Sequence, residues 1–337
     1  MTRRRRLRLR HAIALALALL AFGGTTALAA FVATLSNSGN SFQAAAIFPG
    51  AIKVASGTYT GDATDNRAIT VGFQPDFVIV KDAGNTEGAG RTSTMVGDAS
   101  KPMGSLTAFT ADHIQALTAT GFTIGTNNRV NRNGRTYHWT AFKANSQAMK
   151  VGTYTGNGTT QSITGVGFQP ELVILLGNNA QRAVARYSGA ARTYGFDAST
   201  GVTTGVTAFG ADGFSVGAAA EANANGVAYH YVAFNDFADS IDVGSYTGNN
   251  TDTRSITTPT FQPEFVMIRA DDTATGRAAN WHPSSLAGDN TLLFTATASG
   301  TNRIQALQAT GFQLGTSTDV NANAVSYRYL AVRSSAP

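Results

Sequence analysis

One order of landmarks is written three times along this 337-residue chain. Gly57-Thr-Tyr-Thr-Gly61, Phe73-Gln-Pro75 and Tyr137-His-Trp-Thr-Ala-Phe142 come first. They return as Gly152-Thr-Tyr-Thr-Gly156, Phe168-Gln-Pro170 and Tyr229-His-Tyr-Val-Ala-Phe234. The third copy is Gly244-Ser-Tyr-Thr-Gly248, Phe261-Gln-Pro263 and Tyr327-Arg-Tyr-Leu-Ala-Val332. Tyr59, Tyr154 and Tyr246 lie 95 and 92 residues apart. A solenoid or propeller blade repeats every ~20–50 residues; a longer period means whole domains in tandem, each with length enough for a core. The boundaries predicted are 53–145, 149–236 and 241–333.

The pattern inside each copy is that of short strands. A Tyr/Thr-rich strand ends at Thr-Gly. The proline of Phe-Gln-Pro starts a strand, where its missing N–H costs no ladder bond. The runs that follow are nearly all apolar, Phe77-Val-Ile-Val80, Leu172-Val-Ile-Leu-Leu176 and Phe265-Val-Met-Ile268, as expected of strands buried on both faces. Gly-Phe-x-apolar-Gly units alternate between tight turns. The closing strand puts Tyr137, Trp139 and Ala141 on one face and His138, Thr140 and Phe142 on the other. The Asn/Arg/Gly-rich stretch 127–134 before it predicts a hairpin with a long tip. With no sustained helical period, the fold class predicted is all-β: three tandem antiparallel β-sandwich domains.

Charge and cysteine content exclude some functions. Only 13% of residues are charged, and the net +5 comes from one place. Arg3, Arg4, Arg5, Arg6, Arg8 and Arg10 precede every acid, and without them the net charge is −1. No argument for nucleic acid as a partner survives that subtraction. The absence of cysteine excludes disulfides, thiol catalysis and Cys-ligated zinc. Residues 1–29 are expected to be a signal peptide: a basic start, an apolar run from Ala12 to Phe22, and Ala27-Leu-Ala29 as cleavage site. The run is about eleven residues, short of the ~20 that span a bilayer, so no membrane span is expected after cleavage.

The segment from Ala30 through Gly39-Asn40-Ser41-Phe42 resembles the mature start of bacterial surface and biofilm-matrix proteins cleaved by a specialised signal peptidase. A Ser/Asn/Gly linker over 30–52 is the other reading of the same residues. Over residues 53–333, the order of the Phe-x-Pro strand, the Gly-Phe unit and the aromatic closing strand resembles repeat domains of bacteriophage tail proteins. It is similar, more distantly, to the H-type lectins, small jelly-roll-like sandwiches that bind sugars as trimers. The resemblance implies a lectin-like fold and, from three copies on one chain, self-association or packing about a pseudo-threefold axis.

The candidate ligand-binding residues lie in the stretches that differ between copies. Gly97-Asp98, Gly195-Phe-Asp197 and Gly288-Asp289 each follow an arginine, Arg91, Arg192 or Arg277. With Tyr194 and Trp281 beside them, carboxylate and guanidinium offer acceptors and donors for sugar hydroxyls. Asx turns with solvated arginines are the simpler account of the same residues. His138, His230, His113 and His282 lack the clustering a metal or catalytic site needs. Asp271-Asp272 and the Asp62/Asp65 pair lack calcium-loop spacing and are expected to be solvated turn residues. Asp76, Glu171 and Glu264 follow the proline as strand-start caps. No catalytic residue, metal or cofactor is expected.

The function expected is that of an exported, non-enzymatic bacterial surface or matrix protein, structural or adhesive, with glycans or cell-surface polymers as partners. A polysaccharide hydrolase and a phage-derived tail component are the alternatives.

Overall fold

A computed structural model describes residues 35–37, 40–42, 52–237, 239–273 and 276–334. The expected signal peptide, 1–29, lies outside these residues. The chain divides into two compact units, 1–48 and 49–337. In the first, Leu35–Asn37 pairs antiparallel with Asn40–Phe42. The second holds all three repeats.

Each repeat is a pair of antiparallel sheets. In repeat 1 the five-stranded sheet runs in the order Lys53–Thr60, Thr136–Lys143, Phe77–Asp82, Ala89–Thr92, Lys101–Pro102. Its three-stranded sheet runs Arg67–Thr70, Gly121–Ile124, Ile114–Thr118. Repeats 2 and 3 have the same order, with central strands Leu172–Gly177 and Phe265–Ala270 and closing strands Ala228–Phe234 and Ser326–Val332. The protein is all-β, three tandem antiparallel sandwiches.

The Gly-x-Tyr-Thr-Gly landmark has a steric origin. A Cβ on Gly57, Gly152 or Gly244 would run into the ring of Trp139, Tyr231 or Tyr329 on the paired closing strand. A Cβ on Gly61, Gly156 or Gly248 would meet the carbonyl of Arg132, Ala224 or Ala322. The tyrosine between them stacks on the first aromatic residue of the closing strand, Tyr59 on Tyr137 with centroids 5.3 Å apart. Its hydroxyl donates to the Val130 carbonyl at 2.6 Å.

The expected long-tipped hairpin is corrected. Gly121–Ile124 pairs within the three-stranded sheet, and Thr136–Lys143 lies in the five-stranded one, so the two strands never meet. The Asn-rich stretch is a crossover between sheets, built on one helical turn, Asn128–Asn131. Its buried Asn131 accepts from Asp62 N at 2.9 Å and donates to Thr64 O at 2.8 Å, holding the crossover against the first loop. Asn223 and Asn321 hold the other two crossovers in the same way.

The central strands are buried on both faces. Val78 and Val80 pack on the three-stranded sheet of their own repeat, with Ile69, Phe122 and Ile124. Phe77 and Ile79 point the other way, into a core that also takes Leu172, Ile174 and Leu176 of repeat 2 and Phe265 and Met267 of repeat 3. Phe142 sits edge-on to Phe234 and Phe265, with centroids 6.0 and 5.3 Å apart. A core private to each repeat is therefore half of the arrangement; the rest is common to all three. Fully burying a large apolar side chain contributes ~1.5–3 kcal/mol, so Leu172, Ile174, Leu176, Val232 and Phe234 of repeat 2 supply about 8–15 kcal/mol from the common core. That matches the whole stability of an ordinary domain, ~5–15 kcal/mol. Thermal unfolding followed by calorimetry should therefore give one cooperative transition. Three resolved transitions would sink the common-core account.

Candidate functional site

The repeats meet through buried cations. In repeats 1 and 2 the loop after the central strand offers a cage of carbonyl oxygens, and a buried lysine fills it. Lys81, in the central strand of repeat 1, donates to Gly84 O at 2.8 Å, Thr86 O at 2.5 Å and Asp82 O at 3.1 Å. Repeat 2 has Leu176 at the corresponding position, and its cage is filled from across the junction. Lys101 of repeat 1 donates to Gly177 O (2.8 Å), Asn179 O (3.0 Å) and Gln181 O (2.6 Å), and to its own Thr107 O (2.6 Å). Burial pulls the Lys101 ammonium down to about 8, still above neutrality, so it carries its charge. In repeat 3 Arg269 donates to Ala270 O at 3.3 Å and reaches repeat 2 at Gly195 O (3.2 Å) and Ser199 O (2.6 Å). Its guanidinium lies 4.9 Å from the Tyr194 ring centroid.

The polar residues of the second and third closing strands also bond to a neighbour. His230 of repeat 2 bonds through Nδ1 to Thr94 Oγ1 of repeat 1 at 2.7 Å. Arg328 of repeat 3 donates to Ser188 O of repeat 2 at 3.0 Å and to Asp271 at 2.9 Å. Repeat 3 meets repeat 1 through main-chain bonds, Gly88 N to Phe294 O at 2.9 Å and Ser299 N to Ala83 O at 2.8 Å. The contacts from 1 to 2, 2 to 3 and 3 to 1 close a ring.

A cleft of about 520 Å³ opens in repeat 3, lined by Glu264, His282, Ser284, Leu286, Gly288 and Gln305 among others. Glu264 Oε1 accepts from Ser284 Oγ at 2.5 Å and from Ser56 N of repeat 1 at 3.1 Å. His282 bonds through Nδ1 to Asn290 O at 2.7 Å, and burial lowers its pKa, so the imidazole is neutral at pH 7. Among the described residues, no cluster of His, Asp and Glu is arranged to hold a metal, and no helix is long and apolar enough to cross a membrane.

A family model described as a domain of unknown function, DUF7483, matches residues 53–150 and 144–243, more than half of the chain. The chain belongs to this family. No curated protein matches it. The matched residues cover the first two DUF7483 repeats; the third carries the same landmarks and the same sheet order.

The eight candidate ligand-binding residues do not converge. In the first DUF7483 repeat, Arg91 is buried and spends its guanidinium on carbonyl oxygens of its own loop, including Met95 at 3.1 Å and Gly97 at 2.7 Å. Asp98 caps Asp112 N at 2.9 Å, and Asp289 caps Asn302 N at 2.8 Å. Asp197 is not their equivalent: it lies beyond the edge strand Tyr194–Gly195 and pairs with Arg182 at 2.8 Å. Arg192 donates to Gly201 O at 3.3 Å, and Arg277 to Thr318 O at 2.9 Å. Tyr194 and Trp281 are corrected outright. They are 1% and 0% exposed, inside the common core, and present no ring face to a sugar. Asp271 is corrected too: it is no solvated turn residue but accepts from Tyr194 Oη at 2.8 Å across the junction of repeats 2 and 3.

The residues that do shape the junctions and the cleft carried a signal. Lys81 and Arg269 interrupt apolar strands, and a charge there calls for a buried partner. The segments starting at Arg91 and His282 align without a gap, and the exchange of arginine for histidine marks the cleft.

Proposed function

We propose that this chain is an exported, non-enzymatic component of a bacterial surface or extracellular matrix. Its role is structural or adhesive. Three repeats act as one body about a pseudo-threefold axis, and the loops that differ between repeats contact glycans or other cell-surface polymers. The observation that supports this best is the common core with its ring of junctions. Such a body is stiff, and it holds three sets of variable loops at fixed spacing, a layout suited to multivalent contact. A polysaccharide hydrolase calls for two carboxylates facing one cleft, whereas Glu264 is the one carboxylate among the residues lining the cleft in repeat 3.

The test is a glycan array probed with the full chain, its folded state verified by circular dichroism. Binding to a subset of glycans is expected. No signal above background from folded protein would remove glycans as partners and leave the structural role.

A further inference from the structure

One loop of repeats 1 and 3 aligns without a gap, Arg91-Thr-Ser-Thr-Met-Val-Gly97-Asp98 against His282-Pro-Ser-Ser-Leu-Ala-Gly288-Asp289. The backbone follows the sequence. Gly97 and Gly288 both take the left-handed conformation, φ +64° and +70°. Asp98 and Asp289 cap the same turn. Ser100 and Thr291, two residues on, donate to the matching carbonyls Ile114 O (2.7 Å) and Ile304 O (3.0 Å).

What differs is the side chain that fills the loop. In repeat 1 the Arg91 guanidinium donates to the carbonyls of Met95, Gly97, Ala99 and Ile114. In repeat 2 the equivalent Arg186 donates to Val206 O, the counterpart of Ile114 O, at 2.8 Å. In repeat 3 the position is His282. Its imidazole is shorter: Nδ1 bonds to Asn290 O, the main chain of Ile304 and Leu286 also bonds to the ring, and the cleft opens beside it toward Gly288.

The walls of that cleft are rich in acceptors. Glu264 supplies a carboxylate fixed by Ser56 N and Ser284 Oγ, and no lysine or arginine lines the space. Gln305 gives its Nε2 to Asp252 at 2.9 Å, and its Oε1 is buried without a partner, as is that of Gln115 at the same position of repeat 1. Gly288 O takes Asn290 N at 2.9 Å and, like any carbonyl, has a second lone pair. A planar donor-rich cation complements such a surface, and guanidinium fits better than ammonium because its N–H groups fan out in one plane.

We propose that the cleft of repeat 3 binds an alkyl guanidinium group beside His282, the residue that stands where repeat 1 has Arg91. The site does not rest on the glycan reading, and either stands if the other falls. Two sources share this chemistry: a small free guanidinium, and an arginine side chain presented by a peptide.

The test is an NMR titration of the full chain with methylguanidinium and with N-acetyl-arginine N-methylamide, following the His282 imidazole and the Gln305 side-chain amide. Methylurea and the citrulline analogue serve as uncharged isosteres. Saturable shifts with a dissociation constant on the order of 1 mM are expected for the guanidinium probes, and none for the isosteres. Tighter binding of the capped arginine points to a peptide, and equal binding to the small cation; both support the site. His282→Arg should abolish binding and raise the thermal midpoint, because the variant fills the loop as Arg91 does. Glu264→Gln should weaken binding at least fivefold. No saturable shift in the natural chain, or undiminished binding by His282→Arg, would overturn the proposal.

Discussion

Lys101→Met is expected to lower the stability of the three-repeat body by about 3–5 kcal/mol. The two side chains are of similar length, so packing is nearly kept and what disappears is the ammonium. Four carbonyls, on Thr107, Gly177, Asn179 and Gln181, then lose their donor where Lys101 is 0% exposed. Removing one side of a buried polar arrangement costs the full desolvation of what stays behind. The neighbouring repeats supply the comparison. Where the central strand brings its own cation, Lys81 or Arg269, the facing edge strand has Leu292 or Tyr194; where it has Leu176, the edge strand supplies Lys101. A second substitution, Leu176→Lys in the Lys101→Met background, should therefore recover part of the loss by filling the same cage from the other side. Chemical denaturation of the three variants measures both effects. A loss below about 1 kcal/mol in the single variant would show that water satisfies the carbonyls and that Lys101 is dispensable.

The contrast between these cations and the rest of the fold shows what was legible from sequence alone. The sheets were, because alternation and steric landmarks act over a few residues: Gly152 accommodates the Tyr231 ring wherever the repeats go. The apolar runs announced strands buried on two faces, but not what covered the second face. Phe77, Leu172 and Phe265 look alike whether they meet a partner chain or one another, and only the tertiary arrangement brings them into one core. The candidate binding residues failed for a related reason. By sequence Arg91, Tyr194 and Trp281 look like surface groups in variable loops, yet those loops turn inward at the junctions, where variability reflects three unlike interfaces. Aligning the Gly-Asp steps by motif also paired Asp197 with Asp98, whereas the strand register separates them.

Acid should destabilise the protein well before most of its carboxylates titrate, and two histidines set the window. His113 is fully buried, with Nδ1 against Thr110 Oγ1 at 2.7 Å. His230 is 8% exposed, bonded to Thr94 across the junction of repeats 1 and 2. Burial pulls both down to about 4, helped by the positive charges of Arg129 near His113 and Arg91 near His230. In the unfolded chain each would titrate near 6.5. The stability that neutral imidazoles contribute is therefore complete above pH 6.5. It is lost as pH falls toward 4, because over that range the unfolded chain binds the protons and the native one does not. The loss comes to roughly 3 kcal/mol for each histidine by pH 4. His138 and His282, lowered by burial as well, act in the same direction. Asp236 and Asp242 act against them: desolvation raises Asp242, and partial desolvation with the charges of Asp242 and Glu171 raises Asp236 to about 6, though Asp236 is exposed and solvent screens much of its gain. Unfolding free energies measured by urea between pH 7.5 and 4.5 should fall most steeply between pH 6 and 4.5. His113→Gln and His230→Gln should each flatten the slope by close to one proton, whatever they do to stability at pH 7.5. Slopes unchanged in both variants would place the acid sensitivity in the carboxylates and leave the junction histidines without a part in it.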